Sequence, residues 1–454
     1  MTTSSSPASP PADPRSARRA VDRDILVLAV PSLGALIAEP VFLMVDSAFV
    51  ARVSTTSLAG LGLASVVLTT VVGLSIFLAY STTAAVARAF GAGRRREAIA
   101  RGVDACWLAL VIGVFCAAGL VLLGRPLLGL FGPSPEVLEE AAIYLRISAI
   151  GLPAMLVVQA ATGLVRGLQD ARLPLIVAAG GAALNIPLNW VLIFELNLGI
   201  AGSAIGTVIA QCLMALVLLA VVVRHARRLE VPLTPQLGGV ASAGRDSVPM
   251  FIRTLALRAV LVVTTFVATG LGETQLAAHQ LATTVFALLA LALDALAIAG
   301  QALTGRYLGA ADTRTVHAVT RRLMVWGVGG GVVVGVLLLA ASYVAPALFT
   351  PDVAVQENLR AALLVLALAQ PVAGYVFVLD GVLMGAGDAP YLARAGVITA
   401  LVTMPGAALV WWTAPGGPMG LAALWAACTL FFLVARAVSL AVRVRGDAWM
   451  RTGA

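Results

Sequence analysis

Twelve apolar runs follow one another along this chain, at 25–48, 58–86, 103–123, 138–165, 173–194, 200–223, 247–270, 276–303, 323–345, 358–386, 390–413 and 418–442. About 20 apolar residues are enough to cross the hydrocarbon core of a bilayer, so each run is long enough to span it. Backbone in hydrocarbon must satisfy its own hydrogen bonds, and runs of this length do so as helices. Charged residues make up only 11% of the 454, against about 25% in a soluble domain. The predicted fold class is an all-α polytopic membrane protein with twelve transmembrane helices.

The charge distribution sets the orientation. The net charge is +8 and every basic residue is arginine. Arginines cluster in the N-terminal tail and in the loops after the second, fourth, sixth, eighth, tenth and twelfth runs, while the opposite loops hold little beyond Arg52 and Arg125. By the positive-inside rule both termini are cytoplasmic. A basic balance of this kind suits loops facing anionic lipid, so no nucleic-acid partner is expected. Cys106, Cys116, Cys212 and Cys428 sit singly in apolar runs and read as small core residues. No Walker motif, zinc spacing or Ser-His-Asp set is present, so neither an enzyme, a cofactor nor a metal site is expected.

The second half of the chain repeats the first at one constant shift. Val30-Pro31 matches Val248-Pro249, Arg88 and Gly91 match Arg306 and Gly309, and Pro153 matches Pro371. Gly163, Gly167, Asp170 and Ala171 match Gly381, Gly385, Asp388 and Ala389. Six runs per repeat is an even number, so both halves enter from the same side and form a parallel repeat. The expected organisation is a disordered tail (1–23), a six-helix lobe (24–224), a linker (225–246), a second lobe (247–443) and a C-terminal tail (444–454). Two such bundles meeting at an interface suit alternating access, with a substrate cavity between them.

The matched positions read as scaffold, and the polar residues that differ between halves are candidates for chemistry. Asp46 corresponds to Thr264, Ile76 to Asp294 and Thr162 to Asp380. Asp46 is a carboxylate inside an apolar run, costly to ionise and a functional-site candidate by default; packing through hydrogen bonds to neighbouring helices is the alternative. Pro40, six residues earlier, removes a backbone hydrogen bond and gives the helix a place to bend. Asn185 and Asn189 are one turn apart on one face of the fifth run. With Thr207 in the sixth, they fall at the same outer-half depth as Asp46.

The segments EPVFLMVDSAFVARVSTTSLAGLGLA, GLVRGLQDARLPLIVAAGGAALNIPLNWVLIF, LALDALAIAGQALTGRYLGAAD and VLDGVLMGAGDA together resemble the multidrug and toxic compound extrusion family, in its DNA-damage-inducible protein F branch. The resemblance covers about residues 25–440. It implies two six-helix lobes in a V, a bacterial inner membrane, a working monomer, and export of cationic or amphipathic organic compounds against inward H⁺ or Na⁺. It also implies that Asp46, in its VDSA setting, is the coupling-ion site, with Asn185 and Thr207 as partners. Asn189 departs from the pattern, since many relatives carry Asp there, and losing one anionic ligand favours H⁺ over Na⁺. The alternative function is a lipid-linked oligosaccharide flippase of the same superfamily.

In the second lobe Arg253, Arg258, Asp294 and Asp380 lie a few helical turns or less inside the cytoplasmic ends of their runs. Charges in a bilayer pair, and two Arg balance two Asp, either as a gating network or as a clamp holding the lobe together. Glu39, Pro40, Phe42, Met44, Phe286 and Tyr375 are candidate cavity residues, since Met and aromatic surfaces adapt to mixed apolar ligands.

Overall fold

The computed structural model describes residues 14–453, with side chains from Arg18 onward. The first lobe comprises α1 (Pro14–Val50), α2 (Thr55–Leu74), α3 (Phe77–Gly91), α4 (Arg95–Gly129), α5 (Pro135–Ile150), α6 (Leu152–Gly167), α7 (Arg172–Trp190) and α8 (Gly199–Arg228). The second comprises α9 (Leu237–Leu271), α10 (Glu273–Gly309), α11 (Thr313–Ala341), α12 (Ala345–Phe349), α13 (Val353–Gly385), α14 (Ala389–Thr413), α15 (Pro418–Ala427) and α16 (Ala435–Arg445). Two π-helical turns interrupt the pattern, Val191–Glu195 after α7 and Cys428–Val434 between α15 and α16. Among the described residues eleven helical stretches are long and apolar enough to cross a membrane, with α2–α3 and α15–α16 each forming one of them, and the bent pair α5–α6 brings the number to twelve when it is counted as one span. That pair turns by 49°, where Pro153 has no N–H to continue the helical ladder.

Several boundaries differ from those read from hydropathy. Residues 1–13 of the expected tail lie outside the described residues, and from Pro14 onward the chain is helical rather than disordered. Proline is favoured at a helix's first position, and the Arg- and Ala-rich run behind it continues into the apolar span. The expected linker 225–246 shrinks to residues 229–236, because α8 runs through Arg228 and α9 starts at Leu237. Hydropathy marks where hydrocarbon begins; helices project beyond it. α1 itself runs unbroken through Pro31 and Pro40.

Small residues set the packing, as expected where close backbone approach replaces the hydrophobic effect. Gly163 packs on Ala79 and Gly167 on Val86; at the matching positions of the second lobe, Gly381 packs on Ala297 and Gly385 on Gln301. The lobes meet through the same logic. Gly91 in α3 lies against the Arg306 carbonyl, and Gly309 in α10 lies against that of Arg88. A side chain at either position would overlap the partner backbone.

Polar ties reinforce this contact at the arginine-rich end. Asp22 in α1 pairs with Arg322 and accepts Trp326 Nε1 at 2.8 Å, both in α11. Tyr307 Oη donates to Asp24 at 3.2 Å, and Gln169 Nε2 donates to the Ala302 carbonyl at 3.0 Å. Arg88 donates to the carbonyl of Ala386 and, at 2.8 Å each, to those of Arg451 and Gly453. The deepest tie joins Tyr80 Oη to Asp294 at 3.1 Å. Tyr80 lies three turns before the end of α3, so about 16 Å from it at the helical rise of about 1.5 Å per residue. Among the described residues, no hydrogen bond or ion pair joins the lobes beyond that level. The molecule is a V, closed at the arginine-rich end.

Candidate functional site

Asp46 sits where α1, α5, α7 and α8 converge, and only 1% of its surface is exposed. Its Oδ1 accepts Asn189 Nδ2 at 2.8 Å and Ser203 Oγ at 2.5 Å, and its Oδ2 accepts Tyr144 Oη at 3.3 Å. Asn189 Nδ2 also reaches Asn185 Oδ1 at 2.9 Å, across one helical turn. Gly206 makes room for this arrangement, since a Cβ there would overlap Asn189 Oδ1. Pro187 and the π turn at Val191–Glu195 loosen the end of α7, and π turns inside α-helices are frequent at functional sites.

Every partner of this carboxylate is neutral. An ionised carboxylate only accepts hydrogen bonds, so three donors suit it. Once protonated, Asp46 must itself donate. Thr207 Oγ1, buried on α8 beside Tyr144, has no partner in hydrogen-bonding geometry among the described residues. Of the four residues read from sequence, Asp46, Asn185 and Asn189 are joined by hydrogen bonds, and Thr207 is adjacent without one. Ser203 and Tyr144 were missed. Ser203 precedes Thr207 by one turn on α8, a spacing that could have drawn attention to it.

In the second lobe, Asp380 accepts Arg253 Nη2 at 2.5 Å on one oxygen and Arg436 Nη2 at 2.6 Å on the other. All three are buried. The expected two-by-two pairing does not form: Asp294 turns to Tyr80 of the other lobe, and Arg258 makes no ion pair among the described residues. Arg258 instead projects past Gly73, where the absence of a side chain leaves space for its guanidinium. Arg436, which takes the place expected of Arg258, was missed because it lies inside the last apolar run.

A cavity of about 380 Å³ opens beside this network. Arg253, Arg258, Arg436, Asp294 and Asp380 lie on its wall, with Tyr80 facing them from the first lobe. Phe286, Trp425 and Phe432 line its apolar part. The π turn Cys428–Val434 contributes four lining residues, Cys428, Thr429, Phe432 and Leu433. Of the cavity residues expected from sequence, Phe286 lines it; Glu39, Pro40, Phe42, Met44 and Tyr375 do not. Met44 is 72% exposed, and Glu39 is exposed on the same helix.

The family model MatE matches twice, at residues 31–191 and 249–409, one match in each lobe and offset by the same shift as the repeat. Protein DETOXIFICATION 43 of Arabidopsis thaliana is 28% identical over 498 residues, covering 96% of this chain and 91% of its own. DNA damage-inducible protein F of Escherichia coli is 34% identical over 196 residues, 42% of each chain. The crystal structure of the Vibrio cholerae MATE transporter VcmN in its bent form superposes with a TM-score of 0.85, covering 96% of this chain and 98% of that one at 20% identity.

Proposed function

The chain belongs to the MatE family of membrane transporters, and from that premise we propose that it is a proton-coupled antiporter exporting small amphipathic organic compounds. The observation that carries this reading is Asp46, a buried carboxylate held only by neutral donors. Proton binding there changes the hydrogen-bond pattern without leaving an unpaired cation behind. Membership in the DNA-damage-inducible protein F branch is part of the proposal; its support is a half-length match, whereas the DETOXIFICATION match runs nearly the full chain.

In the proposed cycle the arginine-rich end is cytoplasmic and both termini lie there, in a bacterial inner membrane. The closed arginine-rich end and the untied opposite end make this the outward-facing arrangement. A proton entering from outside turns Asp46 from acceptor to donor. α1 carries the consequence, because the same helix bears Asp46 near one end and Asp22 and Asp24 near the other. Those two residues tie α1 to α11 and α10 of the second lobe. They lie about 33–36 Å from Asp46 at the helical rise, along a helix with prolines at 31 and 40. Reorganisation around Asp46 thus reaches the ties that must break before the cytoplasmic end opens. The working unit is proposed to be a monomer, since both sites are complete within one chain.

Proteoliposomes loaded with a fluorescent amphipathic substrate test the reading. An imposed pH gradient should drive transport, an imposed Na⁺ gradient at matched pH should not, and Asp46→Asn should reduce transport to the background of empty vesicles. Na⁺-driven transport would replace the proton in this scheme, and wild-type transport by Asp46→Asn would end it.

A further inference from the structure

The second-lobe cavity carries more guanidinium than carboxylate. Three arginines, Arg253, Arg258 and Arg436, stand on its wall against two aspartates, Asp294 and Asp380. A fourth arginine, Arg166 of α6, is buried within the field of Asp294. The surplus is structural as well as numerical. Asp380 takes one N–H from Arg253 and one from Arg436, which leaves Arg436 Nε and Nη1 and Arg253 Nε without acceptors among the described residues. Arg436 is 1% exposed and Arg253 is 8% exposed. Buried donors without acceptors are costly, more so on charged groups, and Arg forks pair at two points with an anion such as a carboxylate.

The remaining surface fixes what such a carboxylate must be attached to. Beyond the arginines, Phe286, Trp425 and Phe432 present ring surface, and most other lining residues are aliphatic. About 380 Å³ falls in the range of small-molecule sites. The one carboxylate a cation could claim is Asp294. It already accepts the Tyr80 hydroxyl and lies in the fields of both Arg166 and Arg253. A cation would meet a wall of its own sign.

We propose that this cavity binds an amphipathic organic anion, a small carboxylate with an apolar ring body, and that the exported substrate is of this class rather than cationic. The carboxylate lies between Arg258 and Arg436, and the body lies against Phe286 and Trp425. This rests on the transporter reading only for the word exported; the site stands on its own geometry. Arg258 is the substrate's counter-ion because it makes no ion pair among the described residues, while Arg253 and Arg436 are partly spent on Asp380.

The test uses the purified full chain in nanodiscs of zwitterionic lipid, titrated calorimetrically with three probes of one ring body. These are 1-naphthaleneacetate, its amide, and 1-naphthylethylammonium. The acid should bind at least tenfold more tightly than the ammonium. Arg258→Gln should weaken the acid about tenfold and leave the amide unchanged. Because Arg258 is unpaired, that variant strands no buried carboxylate, and its fold is checked by an unchanged elution profile. Arg436→Gln should weaken the acid as well wherever it folds. Equal or tighter binding of the ammonium, or acid binding indifferent to Arg258→Gln, overturns the proposal. So does phosphatidylglycerol that copurifies with the wild type, is lost from Arg258→Gln and excludes the acid, since the site would then hold lipid. Transport separates the two readings. Acid bound but never exported would leave the site and overturn the claim that the exported substrate is of this class; ammonium exported with no acid bound would overturn the site and leave the transporter reading.

Discussion

The two lobes are built from one repeat, yet they bury their carboxylates in opposite ways. In the first lobe Asp46 meets amide and hydroxyl donors only. In the second, the equivalent position is Thr264, whose hydroxyl bonds back to its own helix at Leu261, and the buried acid is Asp380 between two guanidinium groups. The difference is one of what happens when the charge is removed. Neutralising Asp46 leaves neutral partners that can reorient. Neutralising Asp380 leaves two buried arginines facing each other. The first arrangement can cycle through protonation; the second can hold a lobe together and leave spare donors for a ligand.

The largest effect should follow from breaking the second arrangement. Asp380→Ala strands Arg253 and Arg436, and stranding a buried charge costs about 3–5 kcal/mol. The variant should lose its monodisperse elution peak, or melt far below the wild type. Asp46→Asn should melt close to the wild type while transport falls to background, because the amide keeps the size of the side chain and its neighbours stay neutral. If the two variants lose stability equally, the contrast between the lobes is wrong.

Next comes the tie between lobes. Tyr80→Phe removes the hydroxyl that Asp294 accepts and leaves the ring in place. A hydrogen bond to a charged group contributes about 1.5–3 kcal/mol, so the closed arginine-rich end should be weakened by about tenfold or more in population. Spin labels placed on the arginine-rich ends of α3 and α10 would report a new, longer distance. An unchanged distribution would mean that the glycine contacts at Gly91 and Gly309 and the remaining polar ties hold that end without Tyr80.

Much of this was legible in the sequence, and the gaps have physical reasons. Apolar runs and loop arginines mark spans and repeat because bilayer thickness acts on every helix alike. Helix starts such as Pro14 and Leu237 escape, because helical propensity continues where hydropathy stops. Asn185 and Asn189 could be grouped because their neighbourhood is local to one helix. Tyr144 and Tyr80 could not, since each reaches its aspartate across 98 and 214 residues, and only helix rotation brings them together. Arg436 was hidden in plain composition: two turns before Arg443, it sits in an apolar run next to loop arginines that explain themselves.

The smallest expected effect sharpens the reading of Asp46. Thr207 Oγ1 is buried with no hydrogen-bond partner among the described residues, whereas Ser203 one turn earlier donates to Asp46 at 2.5 Å. With Asp46 ionised, Ser203 is in use and Thr207 is idle. Thr207→Val, nearly the same shape, should therefore leave the melting temperature unchanged or slightly raised, because it removes an unsatisfied hydroxyl. Ser203→Ala removes a donor to a buried charge and should lower it. Transport should discriminate the other way from stability. A protonated Asp46 needs an acceptor, and the Thr207 hydroxyl is a buried oxygen with both lone pairs free. Losing a bond of about 1 kcal/mol in the proton-bound state slows a step through it about fivefold. Thr207→Val should thus be stable and slower under a pH gradient. A variant that is stable and transports at the wild-type rate would show that the proton on Asp46 points elsewhere, toward the Asn185–Asn189 pair, and Asn185→Ala would then carry the slow phenotype.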